Sequence, residues 1–448
     1  MARRPWQRWV LFAAFVAALL GGFFLSSSPG SADEPRERGG SEPREGRAEA
    51  QAERPAPEPE DPRRQLLAGF DPRVHEAGAG PHEGRRVARL EGGRRAVLTL
   101  DPGLQAHLEG ELARYEVPYG AVVAMEPSSG RVLAYVSHSS ANPGAGDLVL
   151  DPTPPTASVF KVVTGAALVD AGVGPNTRTC YSGGASRLTL ANLEDRSSDR
   201  RCATLAEAMG GSVNAIFAKL SDRHLDRATL RRYASAFGFG HALPFDVPLA
   251  ASPSEVPEER LERARTAAGF WHMHMSPLHG ALIASTIAND GQMPRAAIVE
   301  RVEAPDGTAL LEHEPEVFRN VVPRRTAQLV NQMMRETVTP RGTARRDFFD
   351  PQGRPFLQDI TVAGKTGTLS AERPYRGYTW FVGFAPADDP QVAVAALVVN
   401  TPRWRIKATY LAREALRYAL IEGPQARARE AEEAAETVAE ESASGDEG

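Results

Sequence analysis

The chain is poor in the residues that scaffold or nucleic-acid proteins depend on. Its 448 residues include only two cysteines, too few for a disulfide framework or a multi-cysteine zinc site. Cys180 and Cys202 lack the CxxC spacing of a redox motif. They share one loop-rich stretch, so an oxidising compartment would let them pair. Sequence cannot show whether their Cα atoms approach, and both states stay open. Aromatics make up 7% and the formal net charge is -5. No basic, aromatic-interleaved patch appears, which argues against nucleic acid as a partner. Internal repeats are absent. Long apolar runs are absent too, apart from one at the N-terminus.

That run reads as an export segment. Arg3, Arg4 and Arg8 precede apolar residues from Trp9 to Leu25. Its length is at the short limit for a spanning helix. The basic flank places the N-terminus inside and the remainder outside. We expect residues 1–30 to be an inner-membrane anchor, single-pass, with the rest periplasmic. A cleaved signal, cut near Gly30-Ser31-Ala32, would instead make the protein secreted or periplasmic. Residues 31–93 are rich in Pro, Glu, Arg and Gly, a composition that cannot bury enough apolar surface to order itself. They are expected to form a tether, with Leu66, Leu67 and Phe70 as one small patch able to dock. Residues 424–448 read as an acidic, solvated tail.

Between them, 94–423 has the patterns of a folded domain. Asp101-Pro102 opens a helix. Gly120 to Met125 and Val132 to Val136 flank a Ser-Ser-Gly turn and read as a hairpin. Thr156 to Ala171 has a helical pattern ended by Gly172. Thr204 and Glu207 form a capping-box pair. Ser276-Pro277 begins a helix closed by Asn289-Asp290-Gly291, and Pro323 starts another. Three strands follow, Ile360 to Thr368, Tyr378 to Phe384 and Val392 to Val399. A last helix spans about Ile406 to Leu420. Helices between an early hairpin and late strands predict an α+β or mixed α/β layer fold.

Three motifs carry chemistry. Ser158-Val159-Phe160-Lys161 places hydroxyl and amine at i and i+3, on one helix face. A serine needs a base to attack, and a buried lysine beside a second cation can be that base. Lys161 lies among Val159, Phe160, Val162, Val163, Ala166, Ala167 and Leu168, where a charge needs a partner. Ser212-Val213-Asn214 can relay a proton through Ser212 and orient Lys161 through Asn214. Lys365-Thr366-Gly367-Thr368 closes the strand from Ile360. Lys365, Thr366 and Thr368 can hold a carboxylate, and Gly367 would let a ligand approach the strand edge. Amides of Ser158 and Thr368 can form an oxyanion hole. No step calls for a cofactor or a metal. His272, His274 and His279 could be ligands by spacing, but such histidines are more often packed or on the surface.

With these motifs the region from Ala96 to Ala419 resembles a penicillin-binding protein transpeptidase domain. Thr99 to Gln105, Met125 to Ala134 and Trp380 to Pro386 resemble further segments of that family. The resemblance implies a β-lactamase/transpeptidase-like fold, with an antiparallel central sheet, flanking helices and a mainly helical subdomain. It implies peptidoglycan stem peptides ending in D-alanyl-D-alanine as substrate. Ser158 would become acylated and a neighbouring amine would cross-link. β-Lactams would be covalent inhibitors at the same serine. No protein partner is indicated.

Some features depart from the pattern. The tether occupies the place of a large N-terminal pedestal domain. Gly269-Phe270-Trp271-His272-Met273-His274 stands where a segment ending Gly-Gln-Gly is common. A D,D-carboxypeptidase remains a rival, since acceptor choice is poorly written in sequence. A β-lactamase is a weaker one, because Glu255 and Glu258 sit in a Pro-rich stretch without the segment that activates water. A penicillin sensor would need a cytoplasmic signalling region, and only about eight residues precede the apolar run.

Overall fold

The apolar stretches of the hairpin and the late strands pair with one another. The computed structural model describes residues 62–433. Strands β1 (Tyr119–Met125), β2 (Val132–His138), β3 (Ala363–Glu372), β4 (Tyr375–Ala385) and β5 (Val392–Asn400) form one antiparallel sheet in the order β3-β4-β5-β1-β2. The early hairpin and the late strands thus meet at the sheet centre, where β5 pairs with β1 from Ala393↔Met125 to Val399↔Tyr119. Strand β3 is an edge.

Both faces of the sheet centre are covered, so β1 and β5 read as nearly continuous apolar runs. Side chains alternate between two cores. Ala121, Val123 and Met125 join one core, and Val122 and Ala124 the other. The second core lies under helices α1 (Pro102–Arg114) and α6 (Ala408–Arg417). The first holds α2 (Lys161–Asp170), α3 (Asn214–His224), α4 (Arg260–Ala267) and α5 (Pro277–Ala288). Helix α2 is apolar on every side, as a core helix must be. It is buried from Lys161 to Leu168. Ser276 caps α5, its hydroxyl accepting from the His279 amide at 3.2 Å. The Thr204–Glu207 capping box closes with bonds of 2.8 and 3.1 Å.

One expectation changes. Residues 62–93 are not tether. They supply strands Glu76–Ala77 and Arg86–Arg89, which join Arg95–Leu98, Val299–Glu303 and Ala309–Glu312 in a second five-stranded sheet. Leu67 and Phe70 dock in the first core. The segment orders because distant strands supply the apolar surface that its own composition lacks. Residues 1–61, including the expected anchor, and 434–448 lie outside the described residues. The first part of the expected tail, 424–433, is helical and largely exposed, as a solvated tail would be. Among the described residues no helix is long and apolar enough to cross a membrane.

Candidate active site

Ser158 sits in a single 3-10 turn, Ala157–Phe160, which runs directly into α2 at Lys161. The expected helix from Thr156 therefore opens with this tighter turn. The preceding segment is pinned on both sides. Trp380 Nε1 donates to the Pro155 carbonyl at 2.9 Å, and the Thr156 amide donates to Met273 O at 2.9 Å. Ala157 has φ +48°, unusual for a residue with a Cβ. Such a conformation persists where its surroundings over-determine it. Two glycines do so. A Cβ on Gly269 would lie 2.4 Å from Ala157 O, and one on Gly367 would lie 3.1 Å from Ala157 Cβ. Gly367 thus lets the serine's own turn approach β3, and it also lines the cleft beside Ser158.

Lys161 is fully buried, and its Nζ meets three oxygens. Ser158 Oγ is at 2.8 Å, Asn214 Oδ1 at 2.7 Å and the Ala268 carbonyl at 2.5 Å. Two of these can only accept. A neutral amine has two N–H donors and one lone pair. Donating to Asn214 and Ala268 leaves the lone pair facing the Ser158 hydroxyl. No carboxylate is within ion-pair distance of Nζ among the described residues. Burial, then the charge on Lys365, hold the Lys161 amine well below the usual lysine range.

Ser212 occupies a turn with φ +52° between helix Leu205–Gly210 and α3. Its Oγ accepts from Lys365 Nζ at 3.0 Å. Lys365 is likewise fully buried, and burial pushes its amine down to about 7. Asn214 opens α3 and donates through Nδ2 to Ala185 O at 2.5 Å.

The third motif lies near the start of β3, not at its end, because the strand runs on to Glu372 as a long hairpin with β4. Its residues alternate in facing. Lys365 and Gly367 pair with Val382 and Trp380, on the serine side. Thr366 and Thr368 pair with Phe381 and Thr379, so they face the α6 side. Thr366 Oγ1 is 2.7 Å from Thr343 Oγ1. All these groups surround one cleft of about 370 Å³, lined by Ser158, Ser212, Asn214 and residues 366–368, with Arg346 and Lys407 adding positive charge. Of the motif residues, Lys161 and Lys365 stand just beneath its wall.

The histidines do not converge. His272 lies 3.2 Å from Glu262, and His274 Nδ1 bonds Thr153 O at 2.6 Å. His279 is buried between Ser252 and Phe237 O, and burial pushes it down to about 4. Among the described residues no group of three or more His, Cys, Asp or Glu is placed to hold a metal ion. Cys180 and Cys202 are bridged, across a hairpin of Arg178–Tyr181 and Arg201–Thr204. Sequence reasoning missed the Ala268 carbonyl and the backing glycine Gly269. A carbonyl leaves no mark in a sequence, whereas Gly269 opened the segment already seen to be unusual.

The arrangement can acylate a serine and hold an anion beside it. Comparison with known proteins agrees. The profile of the penicillin binding protein transpeptidase domain matches residues 120–421. The chain is 32% identical over 320 residues to peptidoglycan D,D-transpeptidase PbpA of Mycolicibacterium smegmatis, covering 62% of this chain and 61% of that one. With the PbpA of Mycobacterium tuberculosis it shares 30% identity over 385 residues, covering 76% and 73%. The imipenem acyl-enzyme of M. tuberculosis penicillin-binding protein A superposes with a TM-score of 0.61, at 27% identity, over 73% of this chain and 80% of that chain. With a family profile spanning well over half of its length, the chain belongs to the penicillin-binding protein transpeptidase family.

Proposed function

We propose that this chain is a peptidoglycan D,D-transpeptidase working through an acyl-enzyme on Ser158. The observation that carries the reading is Lys161, an unpaired buried amine with two acceptor-only neighbours and the serine hydroxyl. The stem peptide adds to the free edge of β3 as an extra strand. Its terminal carboxylate meets the hydroxyls of Thr366 and Thr368, with Lys365 as the cation behind the cleft wall. Lys161 takes the Ser158 proton while Oγ bonds to the penultimate D-alanine carbonyl. The oxyanion rests on the Ser158 and Thr368 amides. As the C–N bond breaks, the proton taken by Lys161 is relayed through the Ser212 hydroxyl to the departing D-alanine amine, so both groups return to their starting state. An amine of a neighbouring stem then attacks the ester, gives up a proton along the same path, and restores Ser158.

β-Lactams enter by the same attack, in keeping with the imipenem acyl-enzyme of the M. tuberculosis relative. The basic-then-apolar N-terminus supports an exported, membrane-anchored placement with the catalytic domain outside. The Cys180–Cys202 bridge fits an oxidising compartment. Incubation with a D-Ala-D-Ala peptide and an amine acceptor, read by mass spectrometry, tests the reading. A cross-linked product is expected. Hydrolysed peptide alone would make the protein a carboxypeptidase, and rapid turnover of a β-lactam would make it a β-lactamase.

A further inference from the structure

A third buried lysine has no part in the chemistry above. Lys219 is on α3, one and a half turns beyond Asn214, and its side chain is 1% exposed. It points into the base of the disulfide-closed loop. Its Nζ donates to Cys180 O at 2.9 Å and to Asp199 Oδ2 at 2.7 Å, with Asp195 at 3.4 Å. Asp199 accepts in turn from Ser182 Oγ at 2.9 Å.

The loop, residues 181–201, touches both elements that supply the Lys161 acceptors. Ala185 O accepts the Asn214 amide at 2.5 Å. Leu188 O accepts from Arg265 on α4 at 2.7 Å, and α4 leads straight into Ala268. Arg260 of α4 pairs with Glu194 of the loop and with Asp222 of α3. Gly184 lies so close to α3 that a Cβ there would sit 2.8 Å from Ala215 Cβ.

We propose that this loop is a positioning element for the base: Lys219 anchors it on α3, and its Ala185 carbonyl holds the Asn214 amide so that Oδ1 faces Lys161. An asparagine amide can turn over unless its two ends have different partners. Ala185 O supplies the partner that breaks the symmetry. With that carbonyl gone, the amide can present N–H to Lys161. The amine then loses one of its two acceptors, and its lone pair is no longer aimed at Ser158.

The proposal rests on the reading of Ser158 and Lys161 as nucleophile and base. Its test is the rate of Ser158 labelling by a fluorescent penicillin across pH, for the full chain carrying Lys219→Met or Gly184→Ala. Both substitutions leave Lys365, the cation acting on Lys161, in place. A displaced oxygen acceptor of this kind costs about tenfold to a hundredfold in rate. We expect a loss of that size in both variants. The acid limb of the profile should also move to lower pH, because an amine facing N–H donors is harder to protonate. A merely structural role would lower thermal stability and leave that limb where it is. Should Lys219→Met fail to fold, Gly184→Ala, at a half-buried loop position, decides alone. Folded variants with the wild-type rate and limb would overturn the loop's role. A wild-type protein that takes no label on Ser158 would overturn the acyl-serine reading and this proposal with it.

Discussion

Lys161 and Lys219 are both buried lysines on neighbouring core helices, and they solve the same problem differently. Lys219 meets two carboxylates, and the Asp199 carboxyl beside it is held below its usual range, chiefly by that hydrogen bond. Lys161 meets only neutral oxygens, with Lys365 as its nearest charge. A buried amine with carboxylate partners becomes a staple. A buried amine without one is pushed to give the proton up and becomes a base. The same residue type thus serves architecture or chemistry according to one neighbour.

The contrast can be broken at the chemical end first. Lys161→Met should cut acylation by penicillin by about two to four orders of magnitude, the usual worth of a positioned base. The same change should raise thermal stability near neutral pH, since it removes an amine buried without a counter-charge. A gain of about 1 kcal/mol would raise the melting temperature by roughly 2–4 °C. A variant less stable than wild type would show that the three hydrogen bonds of Lys161 outweigh the cost of burying its amine.

A smaller effect tests the influence of Lys365. Removing a like charge favours protonation of its neighbour. Lys365→Met should therefore shift the acid limb of the acylation profile to higher pH, on top of any loss in carboxylate binding. The two cleft lysines also make stability depend on pH. Their folded values lie below the unfolded one of about 10.4, so the unfolded chain binds more protons in the window between. Stability should rise with pH from about 7, the Lys365 value, upward through that window. The double variant Lys161→Met/Lys365→Met, followed by thermal melts over pH, should flatten this rise.

The smallest effect lies at the staple. Because the folded Asp199 value is depressed, its contribution is present above the ordinary aspartate range and lost as pH falls through the folded value. Asp199→Asn should thus narrow the stability difference between neutral and acid conditions, and it also weakens the anchor that Lys219 gives the loop. Acid melts of the two proteins would show it.

Much of this was legible from residues alone. Period and capping chemistry located α5 through Ser276 and Asn289-Asp290-Gly291, and the apolar run from Val392 to Val399 marked the strand β5. The motif residues Ser158, Lys161, Ser212, Asn214, Lys365 and 366–368 do meet at one cleft. Other features depend on partners far along the chain. Residues 62–93 lack the apolar content to order alone, and they fold because Arg95–Leu98 and Val299–Glu303 complete their sheet. The start of β3 was misjudged because Ile360 to Val362 look strand-like, yet pairing with β4 begins at Ala363. Lys219 gave a signal that could have been heeded, a charged residue among Ile216, Phe217 and Leu220 on an otherwise buried helix face.

The central claim is that Ser158 is activated by a Lys161 amine that is neutral near physiological pH. The direct measurement is the acylation rate of Ser158 by a β-lactam as a function of pH, with the labelled site confirmed by peptide mapping. We expect the rate to rise and reach its plateau well below the ordinary lysine value of about 10.4. A rate that is still climbing through that value, or a label on any residue other than Ser158, would contradict the account.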